Sequence, residues 1–138
     1  MKKYIIIVTA IFLVSCSKQE KVYEFMPAAG FMNNPGTYIS KSAIIIIKEY
    51  DDGSLTFGVS DRKHKIIYQY NIFSSFSDQQ YWFLYKDDQE NIWFYSSDIQ
   101  ESIVLLKDTF HNTYSVHNFC SEKIKLPARI PKDHTFCL

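Results

Sequence analysis

Alternating hydrophobic and polar positions predict β-strands along most of the chain. Residues 44–47 are four isoleucines, Asp52-Gly53 provides a strong turn signal, and residues 55–59 then alternate between large apolar and small side chains. This order is typical of a β-hairpin. The same period of two recurs in three later segments, at 65–73, 81–95 and 113–119. The pattern predicts a mainly β fold, built as a small antiparallel sheet, a sandwich or a barrel.

The isoleucine run also predicts where its strand lies. A strand edge made of four isoleucines would pair readily with another chain if it were exposed. We therefore expect residues 44–47 at the centre of a sheet.

Segment 98–108 is compatible with either a helix or a strand. Asp98 and Glu101 are spaced as in a capping box, and the apolar residues that follow recur at helical intervals. The β-branched pair Ile103-Val104 and the neighbouring strands favour a turn followed by a strand instead. We expect the strand, with one short helix as the alternative.

The N-terminus has the layout of an export signal. Lys2 and Lys3 give a basic start, and residues 4–14 form an apolar run interrupted only by Thr9. A membrane-spanning helix needs about 20 apolar residues, so this run is too short to cross a bilayer. Its length matches the hydrophobic region of a signal peptide, and we expect residues 1–15 to be cleaved.

The end of the apolar run, Leu13-Val14-Ser15-Cys16, resembles the lipobox of bacterial lipoproteins. The resemblance implies that Cys16 becomes the first residue of the mature protein and carries a diacylglycerol on its thiol. In Gram-negative bacteria a third acyl chain, such as palmitate, is added to its amine. Two or three chains anchor a protein stably, whereas one does so only marginally. Ser17 stands where an Asp would imply retention at the inner membrane, so the resemblance implies the outer membrane, facing the periplasm.

The expected organisation therefore has three parts. Residues 1–15 are the signal peptide, residues 16–37 are the lipidated N-terminus and a tether containing Pro, Gly and Asn, and residues 38–138 are one β-rich domain. Once Lys2 and Lys3 are lost with the signal peptide, 13 basic residues face 15 acidic ones, a net charge of −2. The sequence shows no basic face of the kind that phosphate binding requires, so nucleic acid is not an expected partner.

Two similar tetrapeptides, HNFC at 117–120 and HTFC at 134–137, lie near the C-terminus. Two cysteines and two histidines resemble the ligand set of a structural zinc site, but the usual C-x₂-C and H-x₃-H spacings are absent. An exported protein also lives where disulfides persist. We therefore expect a disulfide between Cys120 and Cys137 and no metal, with His117 and His134 as neighbours of the bond.

No catalytic constellation is evident, and no cofactor is expected. The chain lacks G-x-S-x-G, H-E-x-x-H and glycine-rich phosphate-loop motifs. Asp61 with His64, and also His111, fall in polar segments that predict solvated turns. Acidic groups at 51–52 and 87–90 could supply oxygen ligands to calcium, but turn chemistry accounts for them more simply, because neither matches an EF-hand loop.

The aromatic residues between 81 and 95 are too many for one face of a sheet, because neighbours on a strand point to opposite sides. Either both faces are covered, or one face exposes a binding patch that includes Trp82, Trp93 and Tyr95.

The function expected from these features is that of a lipid-anchored envelope protein. We expect it to bind a macromolecular partner, as an inhibitor, immunity or exclusion factor, without catalysing a reaction. This expectation rests on location and size. The alternatives are an envelope hydrolase or small-ligand carrier with a site in a barrel or cleft, and a structural lipoprotein with no discrete site.

Overall fold

The computed structural model describes residues 20–23, 29–70, 75–131 and 137, and this part of the chain is all β. It contains no helix, which confirms the mainly β fold. The strands are β1 (Val22–Tyr23), β2 (Gly30–Phe31), β3 (Gly36–Ile39), β4 (Ala43–Glu49), β5 (Ser54–Asp61), β6 (Ile66–Gln69), β7 (Phe76–Ser77), β8 (Trp82–Lys86), β9 (Ile92–Ser96), β10 (Glu101–Asp108) and β11 (Thr113–Asn118).

The first sheet has the strand order β1-β3-β4-β5-β6, and β7 also pairs with β5. All pairs are antiparallel except β1 with β3. The isoleucine run lies in β4, at the centre of this order, as expected. Gly36 begins β3 with a φ of 148°, and a Cβ there would lie 2.6 Å from the carbonyl oxygen of Lys21. The close approach of β1 to β3 therefore requires glycine at this position.

The second sheet has the order β11-β10-β9-β8-β2 and is entirely antiparallel. Its inner face packs on the first sheet to form a sandwich, one of the predicted architectures. The rings of Phe57 and Phe94, from opposite sheets, have centroids 4.6 Å apart. Full burial of each such ring contributes about 1.5–3 kcal/mol, so this inner core holds the two sheets together.

The outer face of the second sheet carries a core of its own. Phe83, Trp93 and Val104 point to this face and are buried beneath Phe119 and Ile130, which come from the segment after β11. The rings of Trp93 and Phe119 have centroids 5.8 Å apart. Both faces of β8 and β9 are therefore apolar because both are covered.

The helical alternative for segment 98–108 is wrong. Residues 97–100 form a turn, and β10 then pairs with β9 over residues 101–105 and with β11 over residues 103–108. The Asp98 carboxylate accepts a hydrogen bond from the Ser77 backbone N–H, and Gln100 has a positive φ of 52°, which interrupts any helix. Hydrogen bonding on both edges of β10 therefore outweighs the helical spacing of the apolar residues, and the segment forms a strand.

Part of the segment assigned to a tether lies within the fold. β1, β2 and the first residues of β3 fall between positions 16 and 37, and each strand pairs with a neighbour. Tyr23 stacks on Tyr38, with ring centroids 4.6 Å apart. The domain therefore begins before residue 38. The predicted signal peptide and Cys16 lie outside the described residues.

Cys120 and Cys137 form the predicted disulfide, with a sequence separation of 17 residues. The bond ties residue 137 to the start of the segment that covers the outer face of the second sheet. His134 lies outside the described residues.

We expect loss of the disulfide to lower the free energy of unfolding by about 3 kcal/mol, because the open loop gains conformational entropy in the unfolded chain. Urea unfolding of Cys120→Ala/Cys137→Ala against the oxidised wild type measures this cost. Reductant should shift the wild type to the midpoint of the double variant and leave that variant unchanged. Equal midpoints for oxidised wild type and variant would contradict the expectation.

Candidate functional site

Trp82, Trp93 and Tyr95, the proposed binding patch, do not lie on one exposed surface. Trp82 packs against the inner core, with its ring centroid 5.1 Å from that of Phe76. Trp93 lies on the opposite face, is only 3% exposed, and donates a hydrogen bond from Nε1 to the Asp87 carboxylate at 2.9 Å. Both tryptophans are thus packing residues.

Tyr95 shares the outer face of the second sheet with Trp93. Its ring is stacked on that of Phe83, with centroids 5.9 Å apart, and lies 6.1 Å from that of Tyr81. The aromatic excess in residues 81–95 is therefore divided between the two cores.

The remaining candidate residues make local contacts. His117 bonds to Glu122 at 2.7 Å and to Ser115 at 2.9 Å through its two ring nitrogens. His111 bonds to Asp108 in the exposed turn between β10 and β11. No cluster of three metal-ligating side chains occurs among the described residues.

The acidic turns use their carboxylates on their own backbones. Asp61 accepts hydrogen bonds from the N–H groups of Lys63 and Lys65, so its carboxylate organises the β5–β6 turn. Asp87 accepts from the N–H groups of Gln89 and Asn91 in the same way. These bonds are the turn chemistry expected for both segments.

An open groove of about 340 Å³ lies on the outer face of the first sheet. We call it the sheet groove. Its apolar part comes from Ile44, Ile46 and Ile66, and Ile66 is 67% exposed. The polar part of its lining comes from Lys48, Tyr50, Thr56, Ser60, His64 and Gln69. An exposed depression that combines apolar and polar groups is typical of a binding surface.

Gly58 gives the sheet groove its depth. It lies in the middle of β5, paired with Ile46 on one side and Gln69 on the other, and faces outward because Phe57 and Val59 face the core. A Cβ at this position would meet nothing closer than the Tyr68 carbonyl oxygen at 3.8 Å. Packing therefore does not demand glycine here. Glycine within a strand often marks a close approach by another molecule.

A network of polar side chains joins the two sheets. We call it the inter-sheet clasp; it consists of Ser40 and Ser42 from the first sheet's β3–β4 turn, and Lys86, Glu90 and Tyr114 from the second sheet. One Glu90 oxygen accepts hydrogen bonds from the Ser40 and Ser42 hydroxyls at 2.8 and 2.7 Å, and the other accepts from Lys86 Nζ at 2.7 Å. The Ser42 hydroxyl also bonds to the Tyr114 hydroxyl at 2.8 Å.

The electrostatics of the clasp favour a charged Glu90. Burial opposes ionisation and is the largest single influence, but the hydrogen bonds from Lys86, Ser42 and Ser40 outweigh it, so the pKa of Glu90 lies below its ordinary value. Burial, together with the Glu90 charge, raises the pKa of Tyr114 to about 12, so its hydroxyl stays protonated.

The backbone conformation of Glu90 indicates that its side chain is the reason for its presence. Its φ is +67°, a conformation that Gly or Asn adopts at lower cost. Because the strain is tolerated at a residue whose carboxylate bridges the sheets, we interpret Glu90 as present for its side chain. The sequence offered no signal for this role, since its partners lie 48 and 50 positions away.

Comparisons with protein-family models, curated proteins and solved structures gave no match. The described residues include no helix with the length and apolar composition needed to cross a bilayer. The candidate sites of the described structure are the sheet groove, the inter-sheet clasp and a cavity beside the clasp.

We expect Glu90→Gln to lower the free energy of unfolding by about 2 kcal/mol at pH 7, because charge-assisted hydrogen bonds are replaced by weaker neutral ones. A carboxylate whose pKa is depressed on folding stabilises the fold above its unfolded pKa, near 4.5, and this stabilisation is lost as pH falls through the folded pKa. The difference between wild type and variant should therefore vanish in acid.

Urea unfolding from about pH 7 to about pH 2 tests this expectation, with Glu49→Gln on the exposed end of β4 as the matched control. A cost at Glu90 that persists undiminished at the lowest pH would show that its charge is not the source.

Proposed function

We propose that this protein is a lipid-anchored protein of the bacterial envelope, and that its β-sandwich binds a protein partner through the sheet groove without catalysing a reaction. The observation that carries the proposal is the depth of the groove at Gly58, which internal packing does not require. The lipobox resemblance at Leu13-Val14-Ser15-Cys16 supports the anchor.

The shape of the groove favours a macromolecule over a small ligand. The groove is an open depression across β4, β5 and β6, and Ile66 at its margin is largely exposed. Sites for small molecules usually enclose most of the ligand surface. A protein segment that fills the depression at Gly58 and covers Ile66 would bury apolar area that now faces water.

The polar groups of the groove describe the partner further. Lys48 contributes a positive charge and His64 a hydrogen-bonding ring. A partner that presents an apolar segment beside a carboxylate would satisfy both the apolar surface and Lys48, since complementary charge gives specificity and speeds association.

We expect mass spectrometry of the protein extracted from its own membrane to show Cys16 as the first residue, carrying two or three acyl chains. Cys16→Ser should remove the lipid and release the protein into the soluble envelope fraction, since the thiol is the attachment point. Ser17→Ala is the control and should stay lipidated. An unlipidated wild-type chain that keeps residues 1–15 would contradict the anchor.

We expect Gly58→Val to abolish capture of the envelope partner, because the new side chain fills the groove. The fold should be retained, since the added Cβ has room and valine suits a strand. Ile66→Asp should weaken capture by at least about tenfold through loss of apolar contact. Quantitative cross-linking in intact cells, followed by native mass spectrometry, measures the loss for each variant.

Val116→Asp is the matched control, since Val116 is a β-branched residue 51% exposed on the other sheet. Its capture should equal that of the wild type. Equal capture by all three variants would place any partner elsewhere and contradict the groove. Thermal unfolding of each variant excludes misfolding as the cause of a loss.

A further inference from the structure

We propose a second binding site, specific for a phosphate monoester group, in the cavity beside the inter-sheet clasp. We call it the basic cavity. It has a volume of about 370 Å³ and is lined by Lys41, Ser42, Asp61, Arg62, Lys63, Glu90, Lys107, Thr109 and Asn112. Turns from both sheets contribute to it, so the site exists only in the folded sandwich.

Four cations converge on the basic cavity from separate places in the sequence. Arg62 and Lys63 come from the β5–β6 turn, Lys41 from the β3–β4 turn, and Lys107 from β10. Within the described residues none of the four forms an ion pair with a carboxylate. No basic face was evident from the sequence because these positions are dispersed between residues 41 and 107.

Two of the cations are held in place by neutral groups. Arg62 donates from Nη1 to the Ser40 carbonyl oxygen at 3.4 Å. Lys107 donates from Nζ to the Asn112 side-chain oxygen at 2.5 Å and lies 4.5 Å from the centroid of the Tyr114 ring. Glu90, Asp108 and Asp61 also act on Lys107 electrostatically, but none of them lies within ion-pair distance of it. The neutral contacts therefore position the two side chains before a ligand arrives.

The charge balance of the basic cavity suits a dianion. Its four cations face two carboxylates, Asp61 and Glu90, which leaves a net charge of +2. Glu90 is already neutralised by Lys86 at 2.7 Å, and Asp61 is occupied by backbone N–H groups. Arg62 can offer two parallel donors to phosphate oxygens, while the lysines contribute point charges. A phosphate monoester matches both the charge and the donors.

Phe110 provides a way to identify the source of the phosphate. This ring is 90% exposed in the β10–β11 turn, next to Thr109 of the cavity. A phosphate carried by a facing lipid surface would bring that surface onto Phe110, which could then bury its ring. A soluble phosphate ester would leave the ring in water.

The test is an NMR titration of the full-length protein, in a non-ionic detergent at low salt, with glycerol 1-phosphate. We expect backbone amide shifts confined to residues 41–42, 62–63 and 107–112. Lys41→Gln/Lys63→Gln should weaken binding by about tenfold, because two unpaired charges are lost. Lys123→Gln/Lys125→Gln removes the same charge from exposed positions after β11 and should change affinity by less than about twofold.

Equal weakening in both double variants, or shifts spread over the surface, would overturn the site. So would the absence of binding to the wild type. Because the titration requires neither the anchor nor the protein partner, its result is independent of the proposed function.

Co-flotation of the Cys16→Ser variant, which lacks the acyl chains of the proposed anchor, with vesicles of phosphatidic acid in phosphatidylcholine identifies the source once the titration has located the site; each further substitution is made in this background. Binding that is lost in both Lys41→Gln/Lys63→Gln and Phe110→Ser supports the cavity with a membrane-borne monoester as its ligand. Glycerol 1-phosphate binding with no vesicle binding supports the cavity with a soluble ester. Vesicle binding that the lysine variant retains in full would contradict the cavity as the phosphate site.

Discussion

The hydrogen bonds to the Glu90 carboxylate are the interaction on which the arrangement of the β3–β4 turn and the second sheet depends. The carboxylate receives hydrogen bonds from Ser40 and Ser42 of one sheet and from Lys86 of the other, so it sets the distance between them. Because an ionised carboxylate cannot be buried without such partners, the bonds also fix the turns that carry them. The basic cavity depends on these bonds, since its lining includes Ser42, residues of the turns and the Glu90 carboxylate that Lys86 neutralises.

The second sheet is covered on both faces, and this explains the composition of its strands. The inner face packs on the first sheet, and the outer face packs under the segment that the disulfide closes. Trp82 and Trp93 serve different cores for this reason. On the outer face of the first sheet, Gly58 leaves an open depression among the described residues. The proposed sheet groove therefore lies on the face of the first sheet that points away from the inner core.

The features that follow from local pattern could be predicted from the sequence. Period-two alternation predicted the strands, the isoleucine run predicted the central position of β4, and the two cysteines of a chain expected to be exported predicted the disulfide. The features that depend on distant residues could not. In the sequence, Glu90 is an ordinary turn residue, and only the fold brings Ser40 and Ser42 to it. The depth of the sheet groove at Gly58 likewise depends on neighbours in two other strands. The cations of the basic cavity are likewise dispersed along the chain.

The parallel pairing of β1 with β3 has a mechanical consequence. A pull on the chain at residue 20 acts along β1, so it loads the hydrogen bond from Thr37 N–H to the Lys21 carbonyl, and the Tyr23–Tyr38 stack, in shear. Contacts loaded in shear share the force, whereas contacts opened from one end break in turn. A domain held from that side would resist drag on its far end with all of these contacts together.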